Sequence, residues 1–180
     1  RLAYAHDASI YRLVPEAVAR PENESDVKDL LEYAISSGTS VTFRTAGTSL
    51  SGQTVTKGII AEVVRGWKRH EILDNGAAIQ LQPGVIGGRS NLYLQPYHRR
   101  IGPDPASIDS AMIGGIISNN SSGMVCGVKH NSYHTLRHIR FILANGNCYD
   151  TSNANDYEKF LNVEKDLCTG LLLCRKEIES

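Results

Sequence analysis

Val27, Leu30, Leu31, Ala34 and Ile35 fall at three- and four-residue intervals, the spacing that stacks side chains on one face of a helix. Ser25 stands ahead of the run as a cap and Gly38 behind it as a stop. The pattern therefore predicts an amphipathic helix over residues 26–35. Apolar stretches at residues 41–43 and 59–64 predict two buried strands, separated by a loop rich in glycine and hydroxyl side chains. Elements this close together predict a small α/β lobe over residues 15–66.

The second half is patterned differently. Residues 77–82 predict a strand closed by Pro83-Gly84, and residues 86–97 a helix with Leu92 and Leu94 turned inward. A short helix rich in small residues is expected over residues 109–118. Alternation through residues 136–144 predicts a strand whose larger apolar positions are Leu136, Ile139, Phe141 and Leu143. Asn145-Gly146 is a strong hairpin turn, so residues 148–150 should return antiparallel. From Asp156 the tail has helical periodicity. The expected class is α+β, in two subdomains: residues 1–66, and residues 67–180 including the helical tail.

Charge and cysteine usage narrow the function. Nineteen Lys and Arg balance nineteen Asp and Glu, so no overall field draws the chain to nucleic acid or an anionic membrane. No nucleic-acid partner is expected. No apolar run approaches the roughly 20 residues of a membrane helix. Cys126, Cys148, Cys168 and Cys174 form no CxxC pair, and no histidine completes a zinc site, so no metal is expected. Scattered thiols fit a reduced, cytoplasmic protein. The chain begins at Arg1, and it is expected to be a piece of something longer.

Three stretches carry candidate chemistry. The first is Arg44-Thr45-Ala46-Gly47-Thr48-Ser49-Leu50-Ser51-Gly52-Gln53. Glycines allow positive φ and close backbone approach, consecutive amides form an anion nest, and hydroxyls add donors. A phosphate or pyrophosphate is the natural occupant; the alternative is a polar surface loop. No Gly-Lys-Ser/Thr closes the loop and no GxGxxG opens a helix, which argues against the Walker and Rossmann readings. The second is Gly102-Pro103-Asp104-Pro105-Ala106-Ser107, stiffened by two prolines. It can brace a planar ring or serve as a plain structural turn.

The third runs from Met112 through Gly114-Gly115 to Ser118-Asn119-Asn120-Ser121-Ser122-Gly123. Paired glycines in a helix cost about 1 kcal/mol each relative to alanine. Close approach of a ligand or of another backbone is the usual compensation. The six histidines, His6, His70, His98, His130, His134 and His138, all lie outside these stretches and are read as structural or surface groups.

Together with Pro15-Glu16-Ala17-Val18-Ala19-Arg20-Pro21 and Gln82-Pro83-Gly84-Val85, these stretches resemble the FAD-binding domain of the vanillyl-alcohol-oxidase-type (PCMH-type) flavoproteins. The nearest branch is the FAD-linked oxidase family of D-lactate, glycolate and D-2-hydroxyglutarate dehydrogenases. Five motifs stand in the family's order across residues 6–150. The resemblance implies two α/β subdomains with FAD between them, followed by a cap domain that holds the substrate. It implies that Thr45, Ala46, Gly47, Thr48, Ser49, Gly52 and Gln53, with Arg44 ahead of them, wrap the FAD pyrophosphate. Pro103, Asp104 and Ser107 would lie along the flavin and ribityl chain. Met112, Gly114, Gly115, Asn119, Ser122 and Gly123 would line the isoalloxazine and its linker, with Pro83 beside them.

Thr45 and Ala46 stand where the family often has glycine, which suggests a tighter loop. Thr48 stands where covalently flavinylated relatives carry histidine, so FAD is expected to be held non-covalently. The resemblance also implies oxidation of a D-2-hydroxy acid by hydride transfer to FAD. Electrons would pass onward to a quinone, cytochrome, flavoprotein or iron–sulfur partner. Nothing after residue 150 resembles the cap, so the catalytic groups are not assigned and the chain alone is expected to hold FAD without turnover. The whole protein is expected in the cytoplasm or at the inner face of its membrane. The alternatives are a nucleotide-binding module without turnover and an enolpyruvyl-sugar reductase, against which residues 102–107 argue.

Overall fold

The computed structural model describes residues 1–179, which divide into two compact units with a break between Leu136 and Arg137. The 66/67 boundary drawn from the sequence falls inside the first unit.

In the first unit, β1 (Ala17–Ala19), β2 (Val41–Arg44) and β3 (Ile59–Glu62) form a parallel sheet in the order β1-β3-β2. Ile59 faces both Ala17 and Val41 across the ladder. Central β3 is buried at Ile59, Ile60 and Ala61, the continuous apolar run expected of a parallel strand covered on both faces. Between β1 and β2 runs α1 (Glu24–Ser37), which buries Val27, Leu31 and Ala34. Ile35 is 65% exposed and lies outside that face. The cap is Asn23 rather than Ser25: its side chain accepts the Asp26 amide, and Gly38 closes the helix at φ 67°. An Asn side chain reaches the third amide of the helix as readily as a serine does, which moves the start back by two residues.

A hairpin of β4 (His70–Leu73) and β5 (Ala78–Leu81) follows. β4, a half-exposed strand without strong alternation, has no counterpart in the sequence expectations. The next helix, α2 (Gly87–Leu94), gives way to a 3-10 turn over Gln95–Tyr97. Leu94 is buried, but Leu92 is 56% exposed; two residues apart on a helix point to opposite sides. α3 is only Ile113–Ser118, and residues 109–112 stay extended or turned because Gly87 and Gly88 bind the carbonyls of Ala111 and Ile108. α4 (Ser132–Thr135) ends the unit.

The second unit is the hairpin β6 (Arg140–Ile142) and β7 (Cys148–Asp150), followed by α5 (Ala154–Val163) and α6 (Lys165–Glu179). Gly146 takes φ 82° in the turn, as the Asn-Gly signal requires. The strand is shorter than residues 136–144, and Leu136 lies 40% exposed outside it. Phe141, Tyr149 and Phe160 pack as an aromatic cluster. Glu164 closes it, accepting Asn145 Nδ2, Asn147 Nδ2 and, at 2.8 Å, Tyr149 Oη. Cys126, Cys168 and Cys174 are free thiols. Among the described residues, no helix is long and apolar enough to cross a membrane, and no cluster of His, Cys, Asp and Glu could hold a metal.

Candidate functional site

The loop of residues 44–53 leaves the end of β2 and is shaped by two left-handed glycines, Gly47 at φ 70° and Gly52 at φ 71°. Among the described residues, no acceptor takes the amides of Thr45, Ala46, Gly47, Thr48 or Ser49. Five consecutive free amides around a left-handed residue make up the backbone nest that binds anions. Ser49 serves the loop itself: its Oγ accepts the Ser51 and Gln53 amides and donates to Gln53 Oε1 at 3.0 Å. Arg44 lies against Gly47, donating through Nη1 to the carbonyls of Tyr4 and His6 with its guanidinium over the Tyr4 ring.

Three of the sequence motifs meet at Gly114. A Cβ placed on Gly114 would lie 2.7 Å from Pro83 Cβ and 3.2 Å from Thr45 Cγ2, and one on Gly115 would lie 3.3 Å from Thr45 Oγ1. Gly114 also donates its amide to the Pro83 carbonyl at 2.9 Å, and Ile113 donates to Val85. The paired glycines at the start of α3 therefore admit the 82–85 turn and the root of the amide loop. Met112 completes the junction through a bridge to Ile86.

Past the other end of α3, the 102–107 motif meets the C-terminal end of the third stretch. The Gly123 backbone lies directly against the Asp104 carbonyl, so that any Cβ would overlap it. Pro103 is buried beside Asp104, and Asp104 Oδ2 is 4.0 Å from Arg100 Nη1. Ser107 accepts the Ser110 and Ala111 amides through its carbonyl. Asn119 and Ser122 are exposed, and Asn120 accepts the Tyr133 amide. The Ser132 hydroxyl, 2% exposed, donates to the Ile116 and Ser121 carbonyls and anchors this turn from α4. The His130 carbonyl lies against Gly102, and His138 is exposed.

Sequence reasoning passed over Asp7. This carboxylate is 9% exposed; Oδ1 accepts the Ser9 amide at 2.9 Å, and Oδ2 accepts the Thr54 hydroxyl at 3.0 Å and, more weakly, the Thr54 amide. Burial opposes its charge, but hydrogen bonds from Ser9 and Thr54 outweigh that and hold its pKa below the ordinary value. The available signal was Asp7-Ala8-Ser9, whose side-chain-to-second-amide bond makes a local turn. Nothing local marked Thr54 as the distant partner.

Residues 15–152 match the family described as the FAD binding domain. D-2-hydroxyglutarate dehydrogenase of Escherichia coli K12 is 31% identical over 155 residues, covering 84% of this chain and 15% of that protein. The glycolate oxidase subunit GlcD of Bacillus subtilis is 29% identical over 155 residues, 84% of this chain and 33% of its own length. Among solved structures, 6-hydroxy-D-nicotine oxidase of Arthrobacter nicotinovorans superposes with a TM-score of 0.71. Identity there is 18%, over 82% of this chain and 32% of that one. A glucooligosaccharide oxidase of Acremonium strictum, described with a 6-S-cysteinyl, 8α-N1-histidyl FAD, reaches a TM-score of 0.67 at 16% identity, over 82% of this chain and 31% of that one. These neighbours share the PCMH-type fold, and the chain spans about 15% of the first dehydrogenase it matches. The chain belongs to the FAD-binding domain family of FAD-linked oxidoreductases.

Proposed function

We propose that this chain is the flavin-holding part of a dehydrogenase that oxidises a D-2-hydroxy acid and hands the electrons to a separate acceptor. The observation that carries this reading is the meeting of Thr45, Pro83, Gly114 and Gly115 around a loop with five free amides. A pyrophosphate needs such donors, and glycines at Gly47 and Gly52 allow the backbone to reach it. The names of the matched relatives, a D-2-hydroxyglutarate dehydrogenase and a glycolate oxidase subunit, support the substrate class.

Bound FAD would supply the hydride acceptor, since hydride chemistry belongs to the cofactor while the protein binds and orients it. The amides of residues 45–49 would neutralise the diphosphate. The buried Pro103 and the wall formed by Asp104 and Gly123 would fix the ring system and exclude water from one side. Thr48 stands where covalently flavinylated relatives carry histidine and offers no ring nitrogen to the flavin, so the cofactor is held without a covalent bond. Selection of the acid and the proton-accepting group fall to residues beyond this chain. The chain by itself therefore holds flavin without oxidising substrate.

The test is titration of the protein with FAD, followed by visible absorption and quenching of flavin fluorescence. Uptake in a one-to-one ratio, with all flavin released on acid precipitation, is the expected result. A protein that takes up no FAD overturns the reading, and flavin that stays with the precipitate overturns the non-covalent part alone.

A further inference from the structure

Residues 5–13 form a loop closed at its base by the Leu13 amide on the Ala5 carbonyl and by a bridge between His6 and Arg12. Ala5 is fully buried. From this base the segment reaches the amide loop at four separate points. Arg44 donates to the Tyr4 and His6 carbonyls; Ala8 donates to the Gly47 carbonyl at 3.1 Å; Thr54 donates to Asp7 through its hydroxyl and, at longer range, its amide. The Tyr11 ring lies against Gly52, where a Cβ would come within 2.6 Å of Tyr11 Cδ2. The contacts bracket the loop: Gly47 in its middle, Gly52 and Thr54 at its far end, Arg44 at its root.

We propose that this N-terminal segment is a strap that holds the diphosphate-binding loop open in advance of its ligand, with Asp7 as the positioning residue. The proposal rests on the flavin reading above. A loop with five free amides pays an ordering cost when it closes on an anion, and a loop already held in shape does not. The Gly47 carbonyl is engaged by Ala8, which turns that peptide's oxygen away from the anion side. Asp7 is suited to the clamp because a carboxylate accepts several donors at once, and hydrogen bonds to a charged acceptor are the stronger kind. It touches no atom of the proposed ligand, so its effect passes through the loop.

Asp7→Asn and Thr54→Val test this in the full chain. The first change keeps an acceptor for Ser9 but loses one for Thr54, and the second removes the hydroxyl with little change of shape. Three quantities are measured for each variant and for the double variant: FAD affinity, ADP affinity, and hydrogen exchange of the loop amides without ligand. ADP carries the diphosphate and lacks the flavin, so it reports on the loop alone. The expected result is a loss of about tenfold in affinity for both ligands, equal for the two. Loop exchange should rise about tenfold, and the double variant should be no worse than Asp7→Asn, because both remove one contact. Melting curves identify any variant that fails to fold, in which case Thr54→Val alone decides. Unchanged loop exchange and unchanged affinities in a folded variant overturn the strap. A parent protein that binds neither FAD nor ADP overturns the flavin reading instead, and with it the role assigned to Asp7.

Discussion

Alanine at Gly114 and alanine at the next residue, Gly115, should move stability in opposite directions. Both glycines lie in α3, where alanine is worth about 1 kcal/mol over glycine from helix propensity alone. At Gly114 the new methyl would stand 2.7 Å from Pro83 Cβ and 3.2 Å from Thr45 Cγ2, where carbon–carbon contacts need about 3.5 Å or more. The proline ring cannot rotate away. Its carbonyl also takes the Gly114 amide at 2.9 Å, so retreat would stretch that bond. Overpacking against rigid neighbours costs about 1–3 kcal/mol, and the upper part of that range applies.

Subtracting the propensity gain leaves Gly114→Ala about 1–2 kcal/mol less stable than the parent. At Gly115 the nearest atom is the Thr45 hydroxyl at 3.3 Å, which can turn aside. Propensity then wins, and Gly115→Ala should be between neutral and about 1 kcal/mol more stable. Urea unfolding of the two variants side by side gives the comparison, with an unchanged slope as the check that only stability has moved. Because Thr45 is the root of the amide loop, Gly114→Ala should also weaken FAD binding. A Gly114→Ala protein as stable as the parent, or Gly115→Ala as the more damaging change, would refute the three-way junction.

Other expectations follow from the same geometry. Gly47→Val should lose FAD uptake and about 1–2 kcal/mol of stability, since valine resists φ 70° and its Cβ would displace the Arg44 guanidinium. Gly38→Val, with φ 67° and open space around it, carries the backbone cost alone, so denaturation and flavin titration of the two separate strain from site damage. On acidification, hydrogen bonds from Asn147, Tyr149 and Asn145 hold the Glu164 pKa below its ordinary value of 4.5. A depressed pKa contributes stability that is present above that value and lost as pH falls through the folded one. Near-ultraviolet circular dichroism of the Tyr149 cluster should therefore fade at low pH, with the onset shifted or blunted in Glu164→Gln. In alkali the sign reverses: burial, then the bond to Glu164, raises Tyr149 to about 12. Its share of stability is intact below the ordinary value of 10.0 and lost between there and about 12. An ultraviolet titration should show a tyrosine step near 12, and Tyr149→Phe should abolish that step.

Motifs were more legible in this sequence than element boundaries. The Arg44 loop, the stiff 102–107 turn and the paired glycines each depend on residue types with few conformational uses, so their chemistry could be read locally. The ends of elements were set by competition between nearby groups. Asn23 outcompeted Ser25 as the cap, and residues 109–112 were drawn out of a helix by hydrogen bonds to Gly87 and Gly88. β1 and β4 went unread because three or four residues with little alternation carry no period to detect, and pairing with a neighbouring strand defines them.

Composition and periodicity determined the mixed class, the α1 face, the Asn-Gly hairpin and the identity of the motifs, because each depends on neighbours within a few residues. Which motifs touch is a long-range matter. Thr45 meets Gly114 across 69 positions of the chain, and Asp7 meets Thr54 across 47. The sequence put Arg44 at the root of the loop, but only the fold shows its Nη1 reaching the carbonyls of Tyr4 and His6. A side chain's chemistry is written in its residue type, but its partner is chosen by the packing that brings distant segments together.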